Sequence, residues 1–180
     1  MKFKILDVGC GIDPEGEVNI DITNVVEEYG NRPPRFIIAS ACSLPFKDKS
    51  FIEARCNDLI EHLEDEEIIA VLKELNRVAD RVIIKIPNAY FIPGSWKYSW
   101  TTLNTDYRRI MRNFPHKQVF DTMMLREALE PIFKKVSIRG WGCWIDIPVL
   151  KRILAFISPV VPFLSQVLIA YCESKPIGNR

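Results

Sequence analysis

Short apolar runs and amphipathic stretches alternate along this chain of 180 residues. Several apolar runs, among them "FKIL" and "VIIKI", place hydrophobic side chains at successive rather than alternate positions. This pattern is typical of strands that are covered on both faces, as in a parallel sheet. Seven strands are predicted, at Phe3–Leu6, Val18–Ile22, Phe36–Ala39, Phe51–Cys56, Val82–Ile86, Val136–Arg139 and Val167–Tyr171.

Two amphipathic helices are predicted between these strands, because apolar positions recur there with helical spacing. The first stripe consists of Ile68, Leu72, Leu75 and Ala79. The second consists of Leu125, Ala128, Leu129 and Ile132. Glu64–Glu67 place negative charge at the start of the first helix, where the helix dipole favours it, and Asp121 is the predicted N-cap of the second. Strands that alternate with helices predict an open α/β sheet in a single domain over residues 1–180.

The net charge and the cysteine spacing indicate which partners and which compartment to expect. A net charge of +1 creates no broad field that would attract nucleic acid or an anionic membrane. The five cysteines are scattered without C-x-x-C spacing, which predicts reduced thiols and a cytoplasmic protein. The first residues lead directly into a strand, so no secretory signal is predicted.

The stretch "ILAFISPVVPFLSQVLIAYC", from Ile153 to Cys172, carries no charge and has the length of a membrane span. Pro159 and Pro162 lie in its middle, which favours a short apolar helix followed by a strand. The apolar part at 148–164 is predicted to pack on the sheet. The alternatives are that it covers a lipid-like acceptor or lies on a membrane surface.

Candidate chemistry begins with "ILDVGCGIDPEGEVNIDIT". Gly9 and Gly11 follow the first strand, where the absence of Cβ atoms lets the backbone turn and approach a ligand. Asp21 ends the second strand and faces the same crevice, where a carboxylate can accept hydrogen bonds from two ribose hydroxyls. This pair predicts a nucleoside site.

The loop chemistry disfavours a dinucleotide. A pyrophosphate site needs a third glycine and a helix N-terminus, but Pro14 stands in that place and the loop is acidic. The same acids tolerate a ligand that carries an amine and a sulfonium, such as S-adenosylmethionine, with Asp7 near the ammonium, directly or through the loop. The ten residues Val8–Glu17 reach about 33 Å when extended and the return requires about 17 Å, so a crossover without a helix is predicted.

Several motifs together resemble the class I S-adenosylmethionine-dependent methyltransferases, and most closely the small-molecule branch called methyltransferase type 11. They are "ILDVGCG", "NIDI", "ASACSLPFKDKSFIEARCNDLIEHL", "VIIKIPN", "HKQVFDTMMLREALEPIFKKVSI" and "QVLIAYCESK". The resemblance spans Ile5–Lys175 with a gap at the aromatic-rich region. It implies a Rossmann-like fold with a mostly parallel seven-stranded sheet, a shortened first crossover and an antiparallel final hairpin.

The resemblance also implies residue roles. Asp7, Gly9, Cys10 and Gly11 match the cofactor loop, and Asp21 matches the acid that binds the ribose. Ala41 and Cys42 match the segment along the adenine, although Ser40 stands where many members have an aspartate. Asn57 and Asp58 match the end of the fourth strand, which lines the methionine end and the acceptor.

Asp58 and His62 are the candidate bases for an acceptor that must lose a proton. Structural roles remain open for both, Asp58 as an N-cap or surface residue and His62 as a loop residue beside the cofactor. Glu61 and His62 are adjacent and share no helix face, so no metal is expected. His116 is predicted to be a turn residue, with catalysis as the alternative.

The region 89–118 is a predicted insertion, and "NAYFIPGSWKYSW" within it holds more aromatic side chains than a solvated loop carries. It is interpreted either as an acceptor-binding lid or as a hydrophobic cluster or homodimer contact. The predicted activity is methyl transfer from S-adenosylmethionine to a small-molecule acceptor. The alternatives are an inactive S-adenosylmethionine-binding partner protein and a dinucleotide-dependent oxidoreductase.

Overall fold

The computed structural model describes residues 2–11, 14–24, 35–89, 117–142, 153, 156–157, 159–161, 165 and 167–176. Its strands are β1 (Phe3–Val8), β2 (Val18–Asp21), β3 (Phe36–Ile38), β4 (Phe51–Asn57), β5 (Ala79–Pro87), β6 (Lys135–Trp141) and β7 (Val167–Glu173). All seven predicted strands are therefore confirmed. The largest shift of a boundary is at β5, which begins at Ala79 rather than Val82.

The seven strands form one sheet in the order β3-β2-β1-β4-β5-β7-β6. Strands β1 to β5 pair in parallel, whereas β7 lies antiparallel between β5 and β6. This confirms the mostly parallel sheet and its antiparallel final hairpin. Because β1 lies between β2 and β4, the strand order reverses at β1, and the carboxyl ends of these three strands surround the crevice where such folds bind ligands.

The two faces of the sheet differ in polarity. Residues that pair across neighbouring strands point to the same side, and alternate residues point to opposite sides. One side is fully buried and carries Leu6, Val8, Ala54, Cys56, Val82, Ile84, Leu168 and Ala170. On the other side Arg55 of β4 pairs with Glu53 at 3.0 Å and with Glu15 of the first crossover at 2.7 Å. The crossover is thus tied to β4 by charge.

Helix α1 (Asp65–Val78) contributes its apolar stripe to the same buried core as the sheet. Glu64 and Glu67 form a capping box, in which the Glu67 carboxylate accepts from the Glu64 N–H at 2.9 Å. The buried stripe consists of Ile68, Val71, Leu72, Leu75 and Val78. Ala79, predicted to belong to this stripe, is instead the first residue of β5, because α1 passes into β5 without an intervening residue.

Helix α2 (Thr122–Leu129) precedes β6, and its predicted cap is confirmed. Asp121 accepts a hydrogen bond from the Met124 N–H at 2.7 Å, while Leu125 and Leu129 are buried. A 3₁₀ turn (Ile60–His62) lies between β4 and α1.

An Asp121→Ala substitution is expected to lower the free energy of unfolding by about 1 kcal/mol, because the N–H groups of the first turn lose their side-chain acceptor. Urea denaturation measures this loss. Asp121→Asn serves as the control because it keeps the acceptor, and equal stability of the alanine variant and the wild type would contradict the assignment of the cap.

The crossover between β1 and β2 is held by backbone hydrogen bonds. The N–H groups of Gly9 and Cys10 both donate to the Ile20 carbonyl, at 2.9 and 3.0 Å, and the Glu17 N–H donates to the Ile5 carbonyl at 2.9 Å. Its described residues, 9–11 and 14–17, contain no helix. The predicted short crossover is therefore confirmed for this part of the chain.

Some sequence predictions fall on residues outside the described ranges. Residues 90–116, which make up nearly all of the predicted insertion and include His116, lie there, as does most of the apolar part at 148–164. No helix within the described ranges is long and apolar enough to cross a membrane. The described cysteines, Cys10, Cys42, Cys56 and Cys172, are all free thiols.

Candidate cofactor and acceptor site

The loop after β1 contains two glycines with positive φ and different surroundings. Gly9 has φ +73°, and a Cβ placed there would lie 3.0 Å from Cδ2 of Leu59, which follows β4. Gly11 has φ +49°, and no atom of the described residues lies within 4 Å of the position its Cβ would take. Gly9 thus lets the loop pack against the segment after β4, whereas Gly11 leaves bare backbone beside open space.

Asp21, at the end of β2, joins this loop to the next one. Its Oδ2 accepts from the Gly11 N–H at 3.0 Å, and its Oδ1 accepts from the N–H and hydroxyl of Thr23, each at 2.9 Å. A carboxylate oxygen offers two lone pairs, so Oδ2 has capacity for a further donor. The half-buried carboxylate therefore lies at the crevice with an acceptor still available for a ligand hydroxyl.

Asp7 holds the crossover in place. The residue is only 2% exposed, and Oδ2 accepts from the Glu15 N–H at 2.8 Å. This bond ties the Asp7 carboxylate to the backbone of the crossover, beside the glycine loop.

Cys10 lies between these two acids. Burial raises the pKa of its thiol to about 12, with further increases from the negative charges of Asp7 and Asp21. At neutral pH the thiol is protonated, which makes Cys10 a poor nucleophile. Cys10 therefore acts in the loop as a small buried residue.

Ala41 and Cys42 lie in a turn that follows β3 and is positioned next to Asp21. The Ala39 N–H donates to the Asp21 carbonyl at 3.0 Å, which fixes the start of the turn. Within it, the Cys42 N–H donates to the Ser40 hydroxyl at 3.2 Å. Ser40 thus stabilises the turn itself, and Ala41 and Cys42 are half-buried beside the crevice.

The segment after β4 forms the opposite wall. Asn57 ends the strand, and Asp58 has φ +48°, a conformation that is uncommon for a residue with a side chain. The Asp58 N–H is fixed by the Lys85 carbonyl at 2.9 Å, and its side chain is exposed. His62 is half-buried at the end of the 3₁₀ turn. Asp58 and His62 therefore lie on the same short segment as Leu59, which packs on Gly9.

Glu61 lies in the same 3₁₀ turn, and the sequence raised it only as a metal partner of His62 and gave it no other role. It is 2% exposed, and within the described chain neither carboxylate oxygen has a hydrogen-bond partner. Burial raises its pKa to about 7, and the charge of Asp58 contributes in the same direction. A usable signal was present in "DLIEHL", where an acid interrupts an apolar run. The described residues contain no group of three His, Cys, Asp or Glu side chains that could hold a metal ion.

The two ends of the predicted insertion are anchored by backbone hydrogen bonds, and the returning end is bonded to Glu61. At the start of the insertion, the Ala89 N–H donates to the Phe120 carbonyl at 2.8 Å. At the end of the insertion, the N–H groups of Lys117 and Gln118 donate to the Glu61 carbonyl, at 2.8 and 3.0 Å. The described chain after the insertion therefore begins next to the 3₁₀ turn.

A Gly11→Ala substitution is expected to weaken binding of S-adenosylhomocysteine several-fold, because a methyl group would occupy the open side of the loop. The positive φ also costs roughly 1 kcal/mol of stability. Gly142→Ala is the matched control, since Gly142 has φ +79° at the end of β6, four strands away from β1. Calorimetric titration of both variants should show lost affinity only for Gly11→Ala, and equal affinities would show that the open side of Gly11 faces no ligand.

Comparison with known proteins gives a fold but no family by sequence. No protein-family model and no curated protein matches the chain. Among solved structures, an S-adenosylmethionine-dependent methyltransferase from Archaeoglobus fulgidus is 16% identical with a TM-score of 0.64, covering 96% of this chain and 86% of that one. A Thermotoga maritima protein described as a "possible histamine N-methyltransferase" is 15% identical with a TM-score of 0.69, covering 97% and 83%.

A third similar structure is the phosphoethanolamine N-methyltransferase 2 of Haemonchus contortus in complex with S-adenosyl-L-methionine. It is 14% identical with a TM-score of 0.60, and the match covers 98% of this chain and 50% of that one. Together these structures show that the chain has the Rossmann-like class I methyltransferase fold.

Proposed function

We propose that this chain is an S-adenosylmethionine-dependent methyltransferase that acts on a small-molecule acceptor. The observation that carries the proposal is the Asp21 carboxylate, which lies at the end of β2 and bonds the Gly11 N–H of a loop without a described helix. An adenosyl group presents two ribose hydroxyls, and a carboxylate with a free lone pair beside bare backbone suits them.

The site residues fit this cofactor. Asp21 would accept from the ribose, and Gly9, Cys10 and Gly11 would lie beneath the ligand, with Asp7 holding their loop through Glu15. The turn at Ala41 and Cys42 would lie along the adenine. Asn57 would lie at the methionine end, beside the acceptor.

The cofactor supplies an electrophilic methyl group, and the chain aligns the acceptor with it. The acceptor side would be formed by the segment after β4 and by the anchored ends of the insertion. Asp58 and His62 remain candidate bases on this side. The similar structures are named for different acceptors, histamine and phosphoethanolamine, so the shared fold does not identify the acceptor.

A dinucleotide is less compatible with the crossover. Its described residues supply no helix N-terminus for a pyrophosphate, and Glu15 and Glu17 lie on it as charged acids. Glu15 pairs with Arg55 and Glu17 pairs with Arg35, each at 2.7 Å. Because each arginine is balanced by an acid, these pairs offer no excess positive charge to a pyrophosphate. We propose the type 11 branch as the subfamily, because the chain contains the motifs "LPFKDKSF" and "IEHL". The cytoplasm is the proposed compartment.

Calorimetric titration with S-adenosylhomocysteine and with NAD⁺, followed by an acceptor panel assayed for S-adenosylhomocysteine release, tests the proposal. Binding of S-adenosylhomocysteine without NAD⁺, together with turnover of any acceptor, is the expected result. Binding of NAD⁺ alone would favour an oxidoreductase. Cofactor binding without turnover across the panel would favour an inactive binding protein.

A further inference from the structure

The carboxyl group of Glu61 is buried at the carboxyl edge of the sheet, and no described residue forms a hydrogen bond with it. The 3₁₀ turn that carries it connects β4 to α1, and the turn is flanked by Leu59, which packs on Gly9 of the cofactor loop. The backbone carbonyl of Glu61 accepts hydrogen bonds from the N–H groups of Lys117 and Gln118, at the end of the insertion. Glu61 therefore lies between the proposed cofactor loop, through Leu59, and the described residues Lys117 and Gln118.

The described charge that acts on the Glu61 carboxyl is negative. Asp58 raises the pKa of Glu61, and the Glu61 carboxylate in turn is the largest charge acting on the buried Cys56 thiol, ahead of Asp7. The peptide N–H of Glu61 opposes the shift without reaching hydrogen-bond geometry. Among the described groups no cation contributes, and the Lys117 ammonium is paired with Glu64 at 3.0 Å.

A buried carboxylate without a partner is costly, and folded proteins retain such groups mainly where a ligand or a reaction uses them. A cationic ligand group would supply both the missing charge and the missing hydrogen-bond donors. We propose that Glu61 binds a cationic amine of the methyl acceptor and removes its proton, so that this site carries out N-methylation of an amine. This inference rests on the proposed methyltransferase function.

The step balances in atoms and electrons. The Glu61 carboxylate takes one proton from the acceptor ammonium, which leaves a lone pair on nitrogen. That nitrogen then forms a bond to the sulfonium methyl carbon, and the electron pair of the breaking carbon–sulfur bond stays on sulfur, giving the thioether. A carboxyl that titrates near neutral pH is suited to this exchange, and exclusion of water lowers the pKa of the amine toward it.

The test uses amines and alcohols of the same carbon skeleton: phenethylamine with 2-phenylethanol, butylamine with butanol, and ethanolamine with ethylene glycol. Each is titrated at pH 8 into the wild type and into Glu61→Gln, both saturated with S-adenosylhomocysteine. Glu66→Gln, an exposed acid in the first turn of α1, is the matched control. We expect at least one amine to bind about tenfold more tightly than its alcohol to the wild type and to Glu66→Gln, and less than threefold more tightly to Glu61→Gln.

A second readout counts protons. With the preferred amine at pH 7, titration in phosphate and in MOPS, neither of which is a primary amine, should show release of a fraction of a proton from the wild type, because burial raises the pKa of Glu61 to about 7, and none from Glu61→Gln. An amine preference that survives in Glu61→Gln, or its absence from every pair, would overturn the inference. Failure of S-adenosylhomocysteine to bind in the saturating step would instead overturn the proposed function.

Discussion

An Asp21→Ala variant is expected to bind S-adenosylhomocysteine with a dissociation constant roughly 10 to 100 times that of the wild type. Hydrogen bonds to a charged group contribute about 1.5–3 kcal/mol, and the variant loses those that Asp21 would accept from the ribose. It also loses the bond from the Gly11 N–H to Oδ2, which shapes the loop. Calorimetric titration measures both the affinity and the enthalpy.

Thr23→Val separates these contributions. It removes only the hydroxyl that donates to Oδ1 at 2.9 Å and leaves the carboxylate and the Gly11 contact in place. Its affinity should stay within about threefold of the wild type, since one exposed neutral hydrogen bond contributes little. Wild-type affinity in Asp21→Ala, with the variant folded by circular dichroism, would remove Asp21 from the cofactor site.

The second large effect concerns stability without any ligand. Glu61 has its pKa raised by burial from 4.5 to about 7 in the folded protein, so the folded state binds more protons than the unfolded state between these values. The free energy of unfolding should therefore contain a component that is complete below pH 4.5, falls as the pH rises, and is lost above about pH 7. Its size is roughly 3 kcal/mol, since one pKa unit corresponds to about 1.36 kcal/mol.

Glu61→Gln should lack this component, because the amide cannot ionise. Urea denaturation of both proteins from pH 4.5 to pH 8.5 gives the difference in unfolding free energy, in which the other titrating groups cancel. The difference should shift in favour of the glutamine variant as the pH rises. Glu66→Gln should run parallel to the wild type, and a parallel course for Glu61→Gln as well would mean that the buried carboxyl is compensated in solution.

Local patterns predicted most of the fold. The strands are visible as apolar runs because one face of the sheet lies in the buried core, and burial determines which residues a strand tolerates. The predicted stripe of α1 failed only at Ala79, where a helical spacing continues into a strand. Alanine suits either structure, so the residue type carries no signal at that boundary.

The candidate site was predictable to a different extent. Gly9, Gly11 and Asp21 stand out because few residue types meet the backbone and acceptor requirements at the ends of β1 and β2. The separate tasks of the two glycines were not readable, since they depend on Leu59, about fifty residues later in the chain. The buried position of Glu61 was not predicted for a similar reason, because it arises from tertiary contacts that no local pattern encodes.

The direct passage of α1 into β5 limits how this chain can change in length. One residue inserted into the helix would have no loop to absorb it. It would either rotate the following apolar stripe by about 100° away from the core or move every side chain of β5 to the opposite face. Deletions and insertions in homologous chains should therefore be rare between Asp65 and Pro87 and should accumulate instead in the crossover after β1 and between Ala89 and Lys117.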